Sequence, residues 1–332
     1  MFCPRINHYV RLNQQGTIGK CGHMVNAPHE FKTFRELENS EWLKTKTKEM
    51  ENNTWPEECV RCRLTEQSGG KSVRQASLDR HRVLSPLKND YLIVGGVLDN
   101  ICNSACQTCK PDYSTKIGSL QSRDYIRVDN SKLFRELPQD RIIEIDINGG
   151  EPTASKNYRD LISNLPPSTK IVRMNTNGSR TIPELESLLD KGIKVIVTLS
   201  LDGIGKVHDY LRWPIKWSNY EKTLSHYLEL QHKHKLLSLD TWTTVSCLNL
   251  ADLPNIEHYT RSKGLQHNWA FLEYPYVYNV KYKNRLTESM KHLYPEQVAT
   301  GKDNDNELEK FISRQDSMRG VDINDYLNFL PN

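Results

Sequence analysis

Three cysteines open the chemical reading of this chain. Cys102-Asn-Ser-Ala-Cys106-Gln-Thr-Cys109 sets three thiols within eight residues, directly after an apolar, β-branched run. Thiolates suit zinc or iron–sulfur ligation. A closed structural zinc site takes four protein ligands, and no fourth is local, since the nearest upstream histidine is His81. Three thiolates can hold three irons of a four-iron cluster and leave the fourth with an open position. That is the arrangement of a reactive centre rather than a structural one.

A second group stands upstream: Cys3, Cys21, Cys59 and Cys62. Four thiolates close a site around zinc or around a four-iron cluster, and spacing does not separate the two. The eighth cysteine, Cys247, lies inside an apolar run and reads as a buried, inert thiol. His226, His232 and His234 share a lysine-containing helical stretch and read as a solvated face.

Elements that would position the three cysteines follow from periodicity. Apolar, β-branched runs occur at Tyr91–Val97, Ile142–Ile147, Lys170–Met174, Ile193–Leu199, Leu239–Val245 and His267–Leu272. Helical stretches lie between most of them, at Tyr158–Leu165, Pro183–Lys191, Tyr220–Lys235 and Asp252–Lys263. Alternation of this kind predicts βα units and a parallel sheet, and right-handed crossovers curl such a sheet into a barrel or partial barrel. In Ile143-Glu144-Ile145-Asp146-Ile147-Asn148 the isoleucines take one face and the polar groups the other. The polar face is read as lining a solvated or ligand-filled interior.

Each strand is followed by a short polar motif. After the second comes Asn148-Gly149-Gly150-Glu151-Pro152, after the third Asn175-Thr-Asn-Gly178, after the fourth Ser200-Leu-Asp202-Gly203 with His208, Asp209 and Arg212 beyond. Turn chemistry explains any one of these alone. Their register with successive strands is the stronger observation, because parallel barrels gather their sites at the carboxyl ends of strands.

With these residues in view, the chain resembles the radical S-adenosylmethionine enzymes. The resemblance implies an α/β fold, a partial (β/α)6 barrel of the radical SAM type with a small cysteine-rich auxiliary domain. It implies that Cys102, Cys106 and Cys109 bind a [4Fe–4S] cluster whose open iron chelates S-adenosyl-L-methionine. Gly149, Gly150 and Glu151 then match the Gly-Gly-Glu motif, and Asn175, Ser200, Asp202 and Arg212 fall at cofactor-lining positions. One departure stands out: the family has an aromatic residue just before the third cysteine, where this chain has Thr108. The first block, with Gly19-Lys20-Cys21, a helical stretch over Phe31–Met50 and Cys59-Val60-Arg61-Cys62, resembles the SPASM/twitch auxiliary-cluster domain. That domain normally follows the barrel and here precedes it. Its four cysteines imply a single auxiliary [4Fe–4S] cluster, of the shorter twitch type.

The expected organisation is an auxiliary domain over 1–66, a linker over 67–90, the core barrel over 91–285 and a polar, helical extension over 286–332. In the last segment Leu308–Ile312 and Tyr326–Leu330 are expected to pack back on the core. Gly70-Lys71-Ser72 is not a phosphate-binding loop, because Thr65 stands where the first glycine is required and no strand precedes it.

The resemblance implies a function. A reductant, such as flavodoxin or ferredoxin, supplies one electron, S-adenosylmethionine is cleaved to methionine and a 5′-deoxyadenosyl radical, and the radical abstracts hydrogen from a substrate. Family kinship points to a peptide or protein, with a nucleoside or small molecule as the alternative. A non-catalytic metal-binding protein that binds RNA or protein is the reading from another class. The general base is unassigned, although Glu273 and Tyr274 close the sixth run. Among 332 residues, 45 basic and 41 acidic side chains leave a formal charge of +4, too even a balance to point to nucleic acid. No apolar run approaches the ~20 residues of a membrane span, and no leader-like apolar stretch opens the chain, so a cytoplasmic location is expected.

Overall fold

The computed structural model describes residues 1–327 except 29, 122–124, 297 and 299. Leu330 therefore lies outside the described residues. Eight strands form one sheet: β1 (Tyr9–Leu12), β2 (Ile18–Gly19), β3 (Leu92–Val97), β4 (Ile142–Asn148), β5 (Ile171–Thr176), β6 (Lys194–Ser200), β7 (Leu237–Val245) and β8 (Gln266–Phe271). Their spatial order is β2-β1-β3-β4-β5-β6-β7-β8. All neighbours from β1 to β8 pair in parallel, and only β1–β2 is antiparallel.

The six core strands are those the alternation predicts, each paired with the next in sequence. A flat sheet would hold β3 and β8 about 24 Å apart, five strand spacings. Yet a single cavity touches Cys102, beyond β3, and Leu272 and Tyr274, beyond β8. The sheet is therefore curled, with the cavity at the carboxyl ends of its strands.

Pattern explains the layers. β7 alternates strictly, with Leu237, Leu239, Thr241, Thr243 and Val245 buried. β3 is buried on both faces, as an interior parallel strand must be. Helix Trp217–Lys233 turns Tyr220, Thr223, Leu224, Tyr227 and Leu230 inward, a 3.6-residue stripe. The main core takes in Val94, Ile145, Ile147, Val172, Val195 and Val197 with Leu224 and Tyr227.

Four differences from the sequence reading stand out. The stretch 67–90 holds a helix, Val73–Leu84, started by a reciprocal cap between Ser72 and Gln75. Its Arg80 reaches Glu144 on β4, with Nε donating to Oε2 at 2.6 Å, and Arg173 Nε donates to Oε1 at 2.7 Å. The polar stripe of β4 does face the interior, but at Glu144 that space is filled by two guanidinium groups, and Glu144 is wholly buried. The stretch Phe31–Met50 is two helices, Phe34–Asn39 and Glu41–Glu51, because Ser40 is extended and its hydroxyl caps the second. Within the 1–66 block, β1 and β2 extend the core sheet, with Tyr9 level with Ile93.

Beyond β8, helix Asp305–Arg319 runs well past the expected Leu308–Ile312. Leu308, Ile312, Ile323 and Leu327 pack with Tyr210, Leu211 and Tyr278 in a second core cluster.

Candidate active site

The cavity at the strand ends has a volume of about 510 Å³. Cys102, Cys106, Cys109, Gly149, Gly150, Glu151, Asn175, Ser200, Asp202 and Arg212 all line it, so every residue singled out for the cofactor side of the reading meets in one hollow. Ser104, Thr108, Lys110, Tyr113, Thr176, Asn177, Thr244, Leu272 and Tyr274 complete the wall.

The cysteine loop is fixed at several points. The Ala105 N–H donates to the Trp213 carbonyl at 2.7 Å, and the Gln107 N–H to that of Leu211 at 2.9 Å. Ser114 Oγ donates to the Ser104 carbonyl at 2.6 Å. Asn177 Nδ2 donates to Asn103 Oδ1 at 2.8 Å, tying the loop to the end of β5.

Beside the loop the two glycines are required. Gly149 and Gly150 have φ of +94° and +63°, and a Cβ on Gly150 would lie 2.5 Å from the Ile101 carbonyl oxygen. Only glycine lets the two turns touch, and the Glu151 N–H then donates to that same carbonyl at 2.7 Å. Glu151 accepts from the Asn177 N–H at 2.7 Å, Thr176 Oγ1 at 2.8 Å, and the Thr153 N–H and hydroxyl at 3.1 and 2.8 Å. Burial raises its pKa, and these four donors oppose the shift.

Across the cavity, Arg212 Nε pairs with Asp202 Oδ2 at 2.7 Å, and Nη1 approaches Cys106 Sγ at 3.6 Å. Burial alone would lower the Arg212 pKa; Asp202 and the Cys106 thiol outweigh it and raise it. Asp202 also accepts from the Thr244 N–H at 2.9 Å. The thiols themselves are buried and close together. Burial, then Cys106, pushes Cys102 up to about 11, and burial with Cys106 and Cys102 raises Cys109. Such thiols ionise readily only when a cation displaces the proton to solvent, as metal coordination does. A soft, anionic sulfur triad beside a fixed guanidinium fits an iron–sulfur cluster.

The upstream cysteines also meet. Cys3, Cys21, Cys59 and Cys62 line a narrow cleft with Arg5, His23, Trp55 and Arg74. Cys3 immediately precedes the helix Pro4–His8, while Cys59 and Cys62 sit one turn apart across the start of helix Val60–Gln67. Burial, followed by the other three thiols, pushes Cys59 up to about 12. Arg5 Nε is buried there without a hydrogen-bond partner. Among the described residues, no three His, Cys, Asp or Glu side chains are grouped closely enough to hold a single metal ion.

Sequence reasoning missed the role of the C-terminal helix. Arg319 Nε donates to the Ala105 carbonyl at 2.8 Å and Nη2 to that of Cys106 at 3.2 Å. Tyr278 Oη donates to Gln107 Oε1 at 3.0 Å. Both contacts span more than 170 residues, and no local spacing signals them. Cys247 is buried, as its apolar run implies.

No family model matches the chain. A stretch of 112 residues is 30% identical to mycofactocin maturase MftC of Mycolicibacterium smegmatis, covering 33% of this chain and 28% of the relative. The Mycobacterium tuberculosis H37Rv protein of the same name gives 30% over 113 residues. The chain thus matches under a third of the length of these curated relatives. The cavity that gathers the three-cysteine loop and the Gly-Gly-Glu turn is an observation independent of this likeness.

Over that stretch the chain is similar to the mycofactocin maturases.

Solved structures are similar at low identity. Native anSMEcpe with bound AdoMet matches at 18% identity and a TM-score of 0.39, covering 63% of each chain. Streptococcus suis SuiB bound to S-adenosylmethionine matches at 14% and 0.43, covering 90% of this chain and 71% of that one. Scores of that size carry no argument of their own.

Proposed function

We propose that this chain is a radical S-adenosylmethionine enzyme that modifies a peptide or protein. The observation that carries the reading is the single cavity holding Cys102, Cys106 and Cys109 against Gly149–Glu151 and the Arg212–Asp202 pair. When bound, the cluster and S-adenosylmethionine supply a one-electron cleavage that yields a hydrogen-abstracting 5′-deoxyadenosyl radical.

The chain's own residues do the positioning. Cys102, Cys106 and Cys109 would hold the cluster, and Arg212 stabilises the negative charge their sulfurs develop. Gly149 and Gly150 give backbone access to the methionine end, while Asn175, Ser200 and Asp202 offer polar groups along the wall.

A peptide is supported by two points. The curated relatives are named maturases. The cavity also shares Cys109, Lys110 and Tyr274 with a second hollow of about 460 Å³, giving room beyond the cofactor. We assign residues 1–66 as an auxiliary unit whose four cysteines hold a second [4Fe–4S] cluster. The unpartnered Arg5 Nε suits an anionic cluster. Flavodoxin or ferredoxin would be the electron donor. Among the described residues no helix is long and apolar enough to cross a membrane, and eight free thiols fit the reducing cytoplasm.

Anaerobic reconstitution tests this. We expect about eight irons per chain, four per cluster, and 5′-deoxyadenosine on adding dithionite and S-adenosylmethionine. Cys102→Ala should abolish that product. Cys59→Ala should halve the iron. Zinc in place of iron, with no cleavage, would favour a binding protein instead.

A further inference from the structure

Strand β8 ends the sheet, and among the described residues no strand pairs with its outer side. It differs from every other strand in having no buried residue. The opposite edge is closed: β2 has two buried residues, and its Ile18 N–H donates to the Phe31 carbonyl at 2.8 Å. Natural sheets protect an open edge with lysine, proline, a bulge or a covering segment. The sequence of β8, Gln266-His-Asn-Trp-Ala-Phe271, carries no lysine or proline and pairs with β7 in unbroken register over all six residues. It is an uncharged edge left available.

The polarity of that edge can be assigned. The Leu272 N–H donates to the Val245 carbonyl at 2.8 Å. Parallel pairing at Val245–Phe271 then turns the backbone groups of Asn268 and Ala270 toward β7. Those of His267, Trp269 and Phe271 point outward. Trp269 is 36% exposed on one face and Trp242 of β7 is 42% exposed on the other, so apolar contact is offered above and below an added strand. The carboxyl end of β8 runs directly into Leu272 and Tyr274 of the cavity wall.

We propose that β8 captures an extended segment of the peptide substrate by strand addition, and so delivers the adjoining residues to the cavity. This rests on the peptide reading above. Only an extended backbone complements a row of N–H and C=O groups at alternate residues, with side-chain contacts supplying selectivity. A nucleoside or small metabolite has no use for such an edge.

The test uses the reconstituted full chain and a displayed library of random linear 15-residue peptides. Selected binders are remade with single backbone N-methyl groups. Binding should fall at least tenfold for N-methylation at alternate residues and stay within twofold at those between. Trp269→Pro removes one outward N–H and should weaken the same peptides at least tenfold. Trp269→Ala keeps that N–H and should cost less. Peptide-free cleavage of S-adenosylmethionine, unchanged in Trp269→Pro, shows that this variant is folded. The N-methyl scan needs no variant at all. Binders indifferent to both changes overturn strand addition and leave the peptide reading standing. Failure of every peptide to bind overturns both. Concentration-dependent dimerisation that Trp269→Pro abolishes, without peptide binding, overturns the proposal in favour of a second copy at this edge.

Discussion

Two buried side chains make the stability of the chain depend on pH. His208 is wholly buried among Trp217 and Tyr220, and burial, then Arg212, pushes its pKa down to about 3 from 6.5. The unfolded chain takes up a proton near pH 6.5 and the folded chain only near 3. Stability is therefore lost as pH falls through that window, by about 1.4 kcal/mol per unit. His208→Phe keeps the ring packing and removes the titration. In urea titrations at pH 7 and pH 5, the variant should gain about 2 kcal/mol on the wild type between the two; parallel curves would refute it. Lys20 behaves alike at higher pH. Its Nζ is buried with only Glu38 at 3.9 Å, and burial lowers its pKa from 10.5 to about 8. The folded pKa lies below the unfolded one, so the penalty is full at pH 7 and relieved as pH rises from 8 to 10.5. Lys20→Met should stabilise the chain at pH 7 by about 3 kcal/mol, with a smaller gain at pH 10. An equal gain at both values would show that the charge is not the cause.

At the scale of elements, helix Asp305–Arg319 is the clamp of the cysteine loop. It ends at Gly320, with φ of +65°, and Arg319 in its last turn donates to two loop carbonyls. Arg319→Met removes two charge-assisted hydrogen bonds, each of order 2 kcal/mol. We expect reconstituted protein to lose iron at the loop faster on gel filtration while far-ultraviolet circular dichroism is unchanged. Arg319→Lys, which lacks the planar fork, should recover only part. Equal iron retention in all three proteins would deny the clamp. This helix also marks where sequence stops being legible. β3 to β8 and the motifs after them could be read because period-two burial and turn residues are local signals. Arg319, Tyr278 and Arg80 could not, because a polar residue looks solvated until its distant partner is known. Strands β1 and β2 were hidden by length: Tyr9–Leu12 and Ile18–Gly19 are too short to show a period. The Phe31–Met50 stretch kept a helical period across a break that only the extended backbone of Ser40 reveals.

For the whole molecule, chemistry and support are divided along the strands. The carboxyl ends hold the cavity, as in parallel barrels generally, and the interior below it is closed by charge. Arg80 from helix Val73–Leu84 meets Glu144 and Asp146 of β4, while Arg173 of β5 meets Glu144 from beside it. Three segments far apart in sequence are joined at one carboxylate. Glu144 is fully buried, so its partners are needed to offset desolvation rather than to add net stability. The burial of Arg80 lowers its pKa to about 10, with Asp146 opposing, so it stays charged near neutral pH. Arg80→Met leaves Glu144 with one partner in place of two and should cost about 3–5 kcal/mol. Glu144→Leu alone strands two cations, although Arg80 keeps Asp146 and Arg173 is partly exposed. The double variant Arg80→Met, Glu144→Leu should therefore be more stable than the sum of the singles by at least 1 kcal/mol. Because the pair is buried, this coupling should persist in 1 M salt, where exposed pairs are screened. A coupling near zero, or one that salt removes, would mean that the helix is held by its apolar face alone and that the interior is open to water.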